Sequence, residues 1–353
     1  MAATVPHVIR DNVQALHSYV PGEQPQESGW VKLNTNENPF MSPTIADAVA
    51  EAATDALRLY PDPLCLELRR ALSDRYGVLP ARIICGNGSD ELLTLAVRAT
   101  AGEGDRIAYP DPTYSLYETL ARIQNAFPVP VPLGPDWELP VDELAGVGAK
   151  LTLVASPNAP TGTPYTLETL DHLAERVSGV LLVDEAYVDF GGTTALPLLA
   201  TRENVLVLRT MSKAFGLAGV RLGYAFGSLS LIEALHKIKD SYNVDRLTQA
   251  AGVAALKAFD EASASNRALC ERRDRTAALL RERFNWRVWP SATNFLLADT
   301  SPSSARGVYE ALKAHRVLVR YFLRPRLDTC VRISIGTESE MDTLVRALER
   351  VVA

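Results

Sequence analysis

The sequence predicts an α/β protein: a mostly parallel central sheet covered by helices on both faces, followed by a smaller α+β part. Three observations predict it. Short, nearly continuous apolar runs recur at 83–86, 106–110, 150–156, 179–186 and 204–210, as strands buried on both faces require. Helical patterns lie between several of them, notably at 166–177, which is the alternation of a parallel sheet. After about residue 245 the texture changes to long helical stretches over 247–283 and then short strand-like runs around a helix near 303–315.

Taken in order, residues 1–30 read as an arm packed with the smaller part, because Pro6, Pro21, Gly22, Pro25 and Gly29 interrupt any long helix. Residues 44–58 and 64–76 read as helices, the second with apolar residues near helical spacing. The β-branched run at 83–86 leads into a helix that opens on Ser89, a capping residue type. Residues 224–227 are a further strand candidate. The expected division is an arm over 1–30, a large domain over 31–245 and a small domain over 246–353.

Composition narrows the function. The 353 residues are 47% hydrophobic and 22% charged, an ordinary globular mixture. The net charge is −6 and no long basic run occurs, so neither nucleic acid nor an anionic membrane is expected as a partner. Cys65, Cys85, Cys270 and Cys330 are scattered, without a CxxC pair or a Cys/His cluster; a metal site and a disulfide framework are not expected. The N-terminal stretch has no apolar core of a secretory leader and no run is long enough to span a bilayer, so a reducing cytoplasm is the expected location.

A parallel sheet places ligands outside its strand C-terminal ends. Three such ends carry polar motifs, at 156–162, 184–190 and 210–219. In Arg209-Thr-Met-Ser-Lys213-Ala-Phe-Gly-Leu-Ala-Gly-Val-Arg221-Leu-Gly-Tyr224, a lysine follows a buried strand. An isolated lysine there would be a surface residue in a glycine-rich turn. Ser212 and Arg221 change that, since a hydroxyl and a guanidinium both suit a phosphate. A desolvated lysine beside other cations is a Schiff-base nucleophile. Asp184 ends an apolar strand, where an unpaired carboxylate is costly. It either caps the next segment, pairs with Glu185 on a metal, or meets a cationic ligand such as a pyridinium; the first two leave Tyr187 unexplained.

Two further motifs are weaker alone. Ser156-Pro-Asn158-Ala-Pro160-Thr-Gly162 reads as a rigid turn, with Asn158 able to donate a hydrogen bond. Cys85-Gly-Asn87-Gly88-Ser89-Asp90-Glu91 joins a strand to a helix whose free N–H groups suit a phosphate. It is not a GxGxxG fingerprint. Nor is it a capping box, because Leu92 stands three positions after Ser89.

In this order the motifs resemble the fold-type I pyridoxal-phosphate (PLP) aminotransferases, over residues 15–340. Within that group the resemblance is closest to the histidinol-phosphate aminotransferases. It is carried by Leu33-Asn-Thr-Asn36-Glu-Asn-Pro39, Tyr60-Pro-Asp62, Gly88-Ser-Asp-Glu91, Pro112-Thr-Tyr114, Pro157-Asn158, Pro160-Thr-Gly162, Asp184-Glu-Ala-Tyr187, Ser212-Lys-Ala-Phe-Gly-Leu-Ala-Gly219, Ser241-Tyr-Asn243, Thr293-Asn-Phe295 and Val331-Arg332. The lysine block marks the fold type; the Asn-Glu-Asn-Pro and Tyr-Asn pieces point to the subfamily. Ser156 and Ala159 depart from the usual Asn-Pro-Asn-Asn-Pro-Thr-Gly turn, which keeps Asn158 but blunts the turn as a marker.

The resemblance implies residue roles. Lys213 would hold PLP and act as general acid/base. Asp184 would pair with the ring nitrogen, Asn158 and Tyr187 would contact O3′, and Tyr114 would stack on the ring. Ser89 and Asp90, or their backbone, would hold the phosphate with Ser212 and Arg221. Tyr60 would reach the phosphate of a neighbouring subunit's cofactor, which makes a homodimer obligatory. Arg332 would fork onto the carboxylate of glutamate or 2-oxoglutarate and, helped by Arg320, onto the phosphate of histidinol phosphate. Tyr19, Asn36 and Tyr242 would frame the imidazole, while Arg324 and Arg326 read as a solvated loop. The implied reaction converts histidinol phosphate and 2-oxoglutarate to imidazole-acetol phosphate and glutamate, in histidine biosynthesis. An aromatic or broad-range aminotransferase, or a related PLP-dependent amino-acid-phosphate decarboxylase, would share the same core.

Overall fold

The apolar runs become strands, and the computed structural model, which describes residues 8–16 and 22–352, assembles them into three sheets. In chain order the strands are β1 (Val31–Lys32), β2 (Ile83–Asn87), β3 (Arg106–Asp111), β4 (Phe127–Pro132), β5 (Leu151–Ala155), β6 (Val180–Asp184), β7 (Val205–Thr210), β8 (Leu222–Phe226), β9 (Arg287–Val288), β10 (Phe295–Asp299), β11 (Val317–Leu318), β12 (Arg320–Tyr321) and β13 (Cys330–Ser334). The large sheet runs in the order β2-β8-β7-β6-β5-β3-β4. Only β8 is antiparallel to its neighbours.

Helices cover both faces, and the strand residues divide accordingly. Leu181, Val183, Val205 and Val207 join one apolar core; Leu182, Leu206 and Leu208 join the other. This is the two-residue alternation of a strand, with both sides dry. It explains why these strands lack polar alternation in the sequence.

Three local features differ from the sequence reading. β4, Phe-Pro-Val-Pro-Val-Pro, was not anticipated, because three prolines argue against a strand. It lies at the sheet edge, paired only with β3, where missing N–H groups cost no ladder bond. The helix expected over 44–58 ends at Ala52, and a 3₁₀ turn, Asp55–Arg58, follows because the Thr54 side chain accepts from Ala56 N. The helix after β2 begins at Gly88 with Asn87, not Ser89, at its cap position.

The smaller antiparallel sheet runs β12-β13-β10-β9. β1 pairs with β11, and Ser334 N–H donates to Leu33 O at 2.9 Å, so the segment after residue 30 runs along the C-terminal part. The stretch before it touches both parts of the molecule rather than the smaller one alone. Glu23 pairs with Lys313 at 2.7 Å, whereas Asn12 Nδ2 donates to Arg122 O at 2.8 Å at the end of the helix Leu116–Ile123. Among the described residues no helix is long and apolar enough to cross a membrane.

Gly223 on β8 positions the site. A Cβ there would lie 2.5 Å from Ser89 N and Gly88 C, backbone atoms at the start of the helix Gly88–Thr100. Gly223→Ala should therefore lower stability by about 2 kcal/mol in urea unfolding; an unchanged midpoint would contradict this close packing.

Candidate active site

Strands β5, β6 and β7 end side by side at Ala155, Asp184 and Thr210. Beyond them lies a cavity of about 270 Å³. Its wall includes Ser89, Asp90, Tyr114, Asp184, Tyr187, Ser212, Lys213, Arg221, Arg320, Arg332 and Asn36. Residues far apart in sequence meet there because the parallel topology aligns its strand ends.

Asp184 forms the inner end. It is 5% exposed, accepts from Tyr117 Oη at 2.9 Å and from Ala186 N–H at 3.1 Å. Burial outweighs these two bonds and pushes its carboxyl up to about 6. A ligand bringing an N⁺–H to this oxygen would remove that penalty. Lys213 Nζ donates to Thr35 O at 3.2 Å and lies 5.9 Å from the Tyr187 ring centre. The Tyr187 hydroxyl accepts from Asn36 Nδ2 at 2.9 Å. Asn36 itself sits at φ 56, held by Ser334 Oγ, which accepts from its N–H at 2.9 Å, and by Asn294 Nδ2, which donates to its carbonyl at 2.9 Å.

An anion cradle lies at the start of the helix Gly88–Thr100. Arg221 Nη1 is 3.4 Å from Ser212 Oγ, and Arg221 Nη2 is 3.4 Å from Asp90 Oδ2. Tyr114 Oη donates to Asp90 Oδ1 at 3.3 Å. The Asp90 carboxylate is thus engaged by Arg221 and Tyr114, which leaves its backbone N–H, with that of Ser89, for an anion.

At the opposite wall, Arg320 on β12 is the direct cross-strand partner of Arg332 on β13. Like charges facing across two strands repel unless something neutralises them. Arg332 Nη2 donates to Asn34 O at 2.9 Å, and its guanidinium lies 5.1 Å from the Phe295 ring and 5.6 Å from Phe322. An anion entering this wall would meet both guanidiniums.

Residues 28–348 match the family model for aminotransferase class I and II. The chain belongs to the class I and II aminotransferases. Among similar proteins is a histidinol-phosphate aminotransferase of Microcystis aeruginosa, 41% identical over 97% of this chain and 98% of that protein. Another, from Geotalea uraniireducens, is 43% identical over 97% and 99%. A crystal structure of histidinol-phosphate aminotransferase from Sinorhizobium meliloti in complex with pyridoxal-5′-phosphate superposes with a TM-score of 0.91, at 28% identity over 99% of this chain and 98% of that one.

Within this aminotransferase, four sequence expectations have a different placement. The Asn158 amide donates to Pro112 O and Thr161 Oγ1, each at 3.0 Å, and its oxygen accepts from Thr113 Oγ1 at 2.7 Å. The side-chain oxygen and nitrogen are thus engaged by the turn and by the segment after β3. Tyr242 stacks on Tyr60 at 4.3 Å, with both rings exposed on the surface. Arg324 and Arg326 keep contact with solvent, as expected of a loop, but are also tied to the fold: Arg324 pairs with Asp111, and Arg326 donates to Leu133 O at 2.6 Å and Gly134 O at 2.7 Å. Tyr19 lies outside the described residues. Tyr117, Thr35 and Phe322 were missed. For Tyr117 the signal available was its spacing from Tyr114 across one turn, which brings the two rings to 5.7 Å.

The Asp184 carboxyl carries a pH dependence. Its folded-state value, about 6, lies above the ordinary 3.8, so the folded ligand-free chain binds the extra proton between these limits. The stability of the neutral carboxyl is complete below about pH 4 and is lost as pH rises through 6. Cofactor-free Asp184→Asn should therefore exceed cofactor-free wild type at pH 7 by up to about 3 kcal/mol in denaturant unfolding. The gap should close near pH 4; curves that stay parallel across this range would refute the assignment.

Proposed function

We propose that the protein carries PLP on Lys213 and transfers the amino group of histidinol phosphate to 2-oxoglutarate, yielding imidazole-acetol phosphate and glutamate. The observation that carries this reading is one cavity with a lysine amine between a dry carboxylate and a facing arginine pair. The relatives above that are named for this reaction support it, at 41–43% identity over nearly their whole length.

Bound PLP supplies the carbonyl that takes up the amino group and a protonated ring that accepts the electrons of the substrate carbanion. The chain's residues do the rest. Asp184 keeps the ring nitrogen protonated, and in doing so recovers the cost of its own burial. Tyr187, oriented by Asn36, hydrogen-bonds the ring hydroxyl oxygen. Tyr114 covers one ring face; Ser89, the Asp90 N–H, Ser212 and Arg221 hold the phosphate. Asn158 acts indirectly, by fixing the turn that bears Ala159 and Pro160 of the wall. The Lys213 amine would act as the acid/base that takes the proton from the donor's Cα.

Arg332 binds the anionic end of either substrate, the carboxylate of one and the phosphate of the other, and Arg320 helps it on the larger phosphate. The working unit is a homodimer in the cytoplasm. Its support is an apolar surface at Leu57, Leu59, Tyr60, Leu64 and Leu66, all exposed in the single chain, with Tyr60 outermost at 76%. Tyr60 is then placed to reach the partner's phosphate site.

With 2-oxoglutarate as acceptor, kcat/KM for histidinol phosphate should exceed that for phenylalanine at least about a hundredfold. Preference for phenylalanine, or release of carbon dioxide, would overturn the substrate assignment. Borohydride should fix the cofactor to the peptide containing Lys213, and Lys213→Ala should abolish this. Cofactor found on a different lysine would remove the covalent role.

A further inference from the structure

We propose that Arg324 is a positioning residue that sets donor specificity by clamping the Arg320–Phe322 strand to the cofactor-side wall. The proposal rests on the assignment of Arg320 and Arg332 to the substrate's anion.

The two arginines are held very differently. Arg332 lies inside β13, paired with Leu297 on one side and Arg320 on the other, so the sheet fixes it. Arg320 lies on β12, an edge strand of two residues with a neighbour on one side only. A strand this short contributes few ladder bonds of its own. It is held from its N-terminal side by β11, which pairs with β1, and from its C-terminal side by the residues that follow. Phe322 contacts both arginines, at 5.8 Å from Arg320 and 5.6 Å from Arg332, and lines the cavity. Leu323 is 84% exposed and holds nothing. The next residue, Arg324, forms an ion pair with Asp111, the last residue of β3 in the other sheet. Arg326 ties the far end of the turn, on the carbonyls after β4 and over Trp137 at 4.2 Å.

Asp111 is a consequential point of attachment. Three residues on, Tyr114 lines the cavity, and between them Thr113 engages Asn158. The pair thus links the segment that bears Arg320 to the segment that bears Tyr114. Its effect should differ between substrates. A carboxylate on Cα needs the sheet-held Arg332. A phosphomonoester is larger and stands farther from Cα, so it needs Arg320 as well. Loosening the clamp therefore weakens the phosphate-bearing donor selectively.

Both partners of the pair are about one-third exposed, and such pairs contribute little to global stability, so substitution should leave the fold intact. The test is a double-mutant cycle with Arg324→Gln, Asp111→Asn and the combined variant, all as PLP-loaded enzyme. Each single change should raise KM for histidinol phosphate about tenfold, with kcat and KM for glutamate within about twofold of wild type. The combined variant should be no worse than either single one, because the same contact is lost once. Hydrogen exchange should quicken over 320–327 and not in β13. Unchanged KM in both single variants, equal rises for both donors, additive effects, or unchanged exchange over 320–327 would each overturn the clamp. Wild-type turnover of histidinol phosphate tests the substrate assignment itself, whereas ratios to wild type and exchange test the clamp, so the two fail separately.

Discussion

A carboxylate held dry at the end of a parallel strand is the constraint on which the site depends. Asp184 and Glu185 are adjacent and both buried, burial pushes both carboxyls up, and they differ in their partners. Glu185 takes Arg209 at 2.8 Å and Thr194 Oγ1 at 3.0 Å, so its charge is answered within the protein. Asp184 has one phenol and one backbone N–H, which leave its burial uncompensated. The first residue secures strands β6 and β7 to each other; the second is left for a cationic ligand. Neighbouring carboxylates in one motif thus do structural and chemical work because their side chains alternate across the sheet.

The rest of the cavity is arranged around that carboxylate by segments remote in the chain. The residues after β1 run beside the small sheet and bring Asn36 to Tyr187 and the Thr35 carbonyl to Lys213. Ser334 and Asn294, from the C-terminal part, hold Asn36 in a left-handed conformation. Any shift of the small sheet therefore reaches the phenol beside the lysine through two hydrogen bonds. The arginine pair lies on the same sheet, so the proposed anion wall and the phenol beside the lysine share one framework.

The legible parts of the sequence were those where one physical demand acts locally. Continuous apolar runs at β5, β6 and β7 are legible because both faces are buried. Lys213, Ser212 and Arg221 are legible because they stand within one short turn. β4 was hidden, since its prolines are tolerable only at an edge and edge position is a tertiary property. Asn158 was legible as a turn residue, but not the partners that occupy its amide.

By itself, the sequence determined the fold class and singled out a lysine, a buried carboxylate and a helix start as candidates that the fold brings to one cavity, because each is encoded by neighbours a few residues apart. Only tertiary structure decided the pairings across the chain. Arg320 faces Arg332 because β12 and β13 are antiparallel in that register. Tyr242 stacks on Tyr60 because folding brings the two rings together. Arg324 finds an ion-pair partner because folding brings the Asp111 carboxylate to it across 213 residues of chain. Such contacts depend on how two sheets dock, and no local pattern of residue types records that geometry.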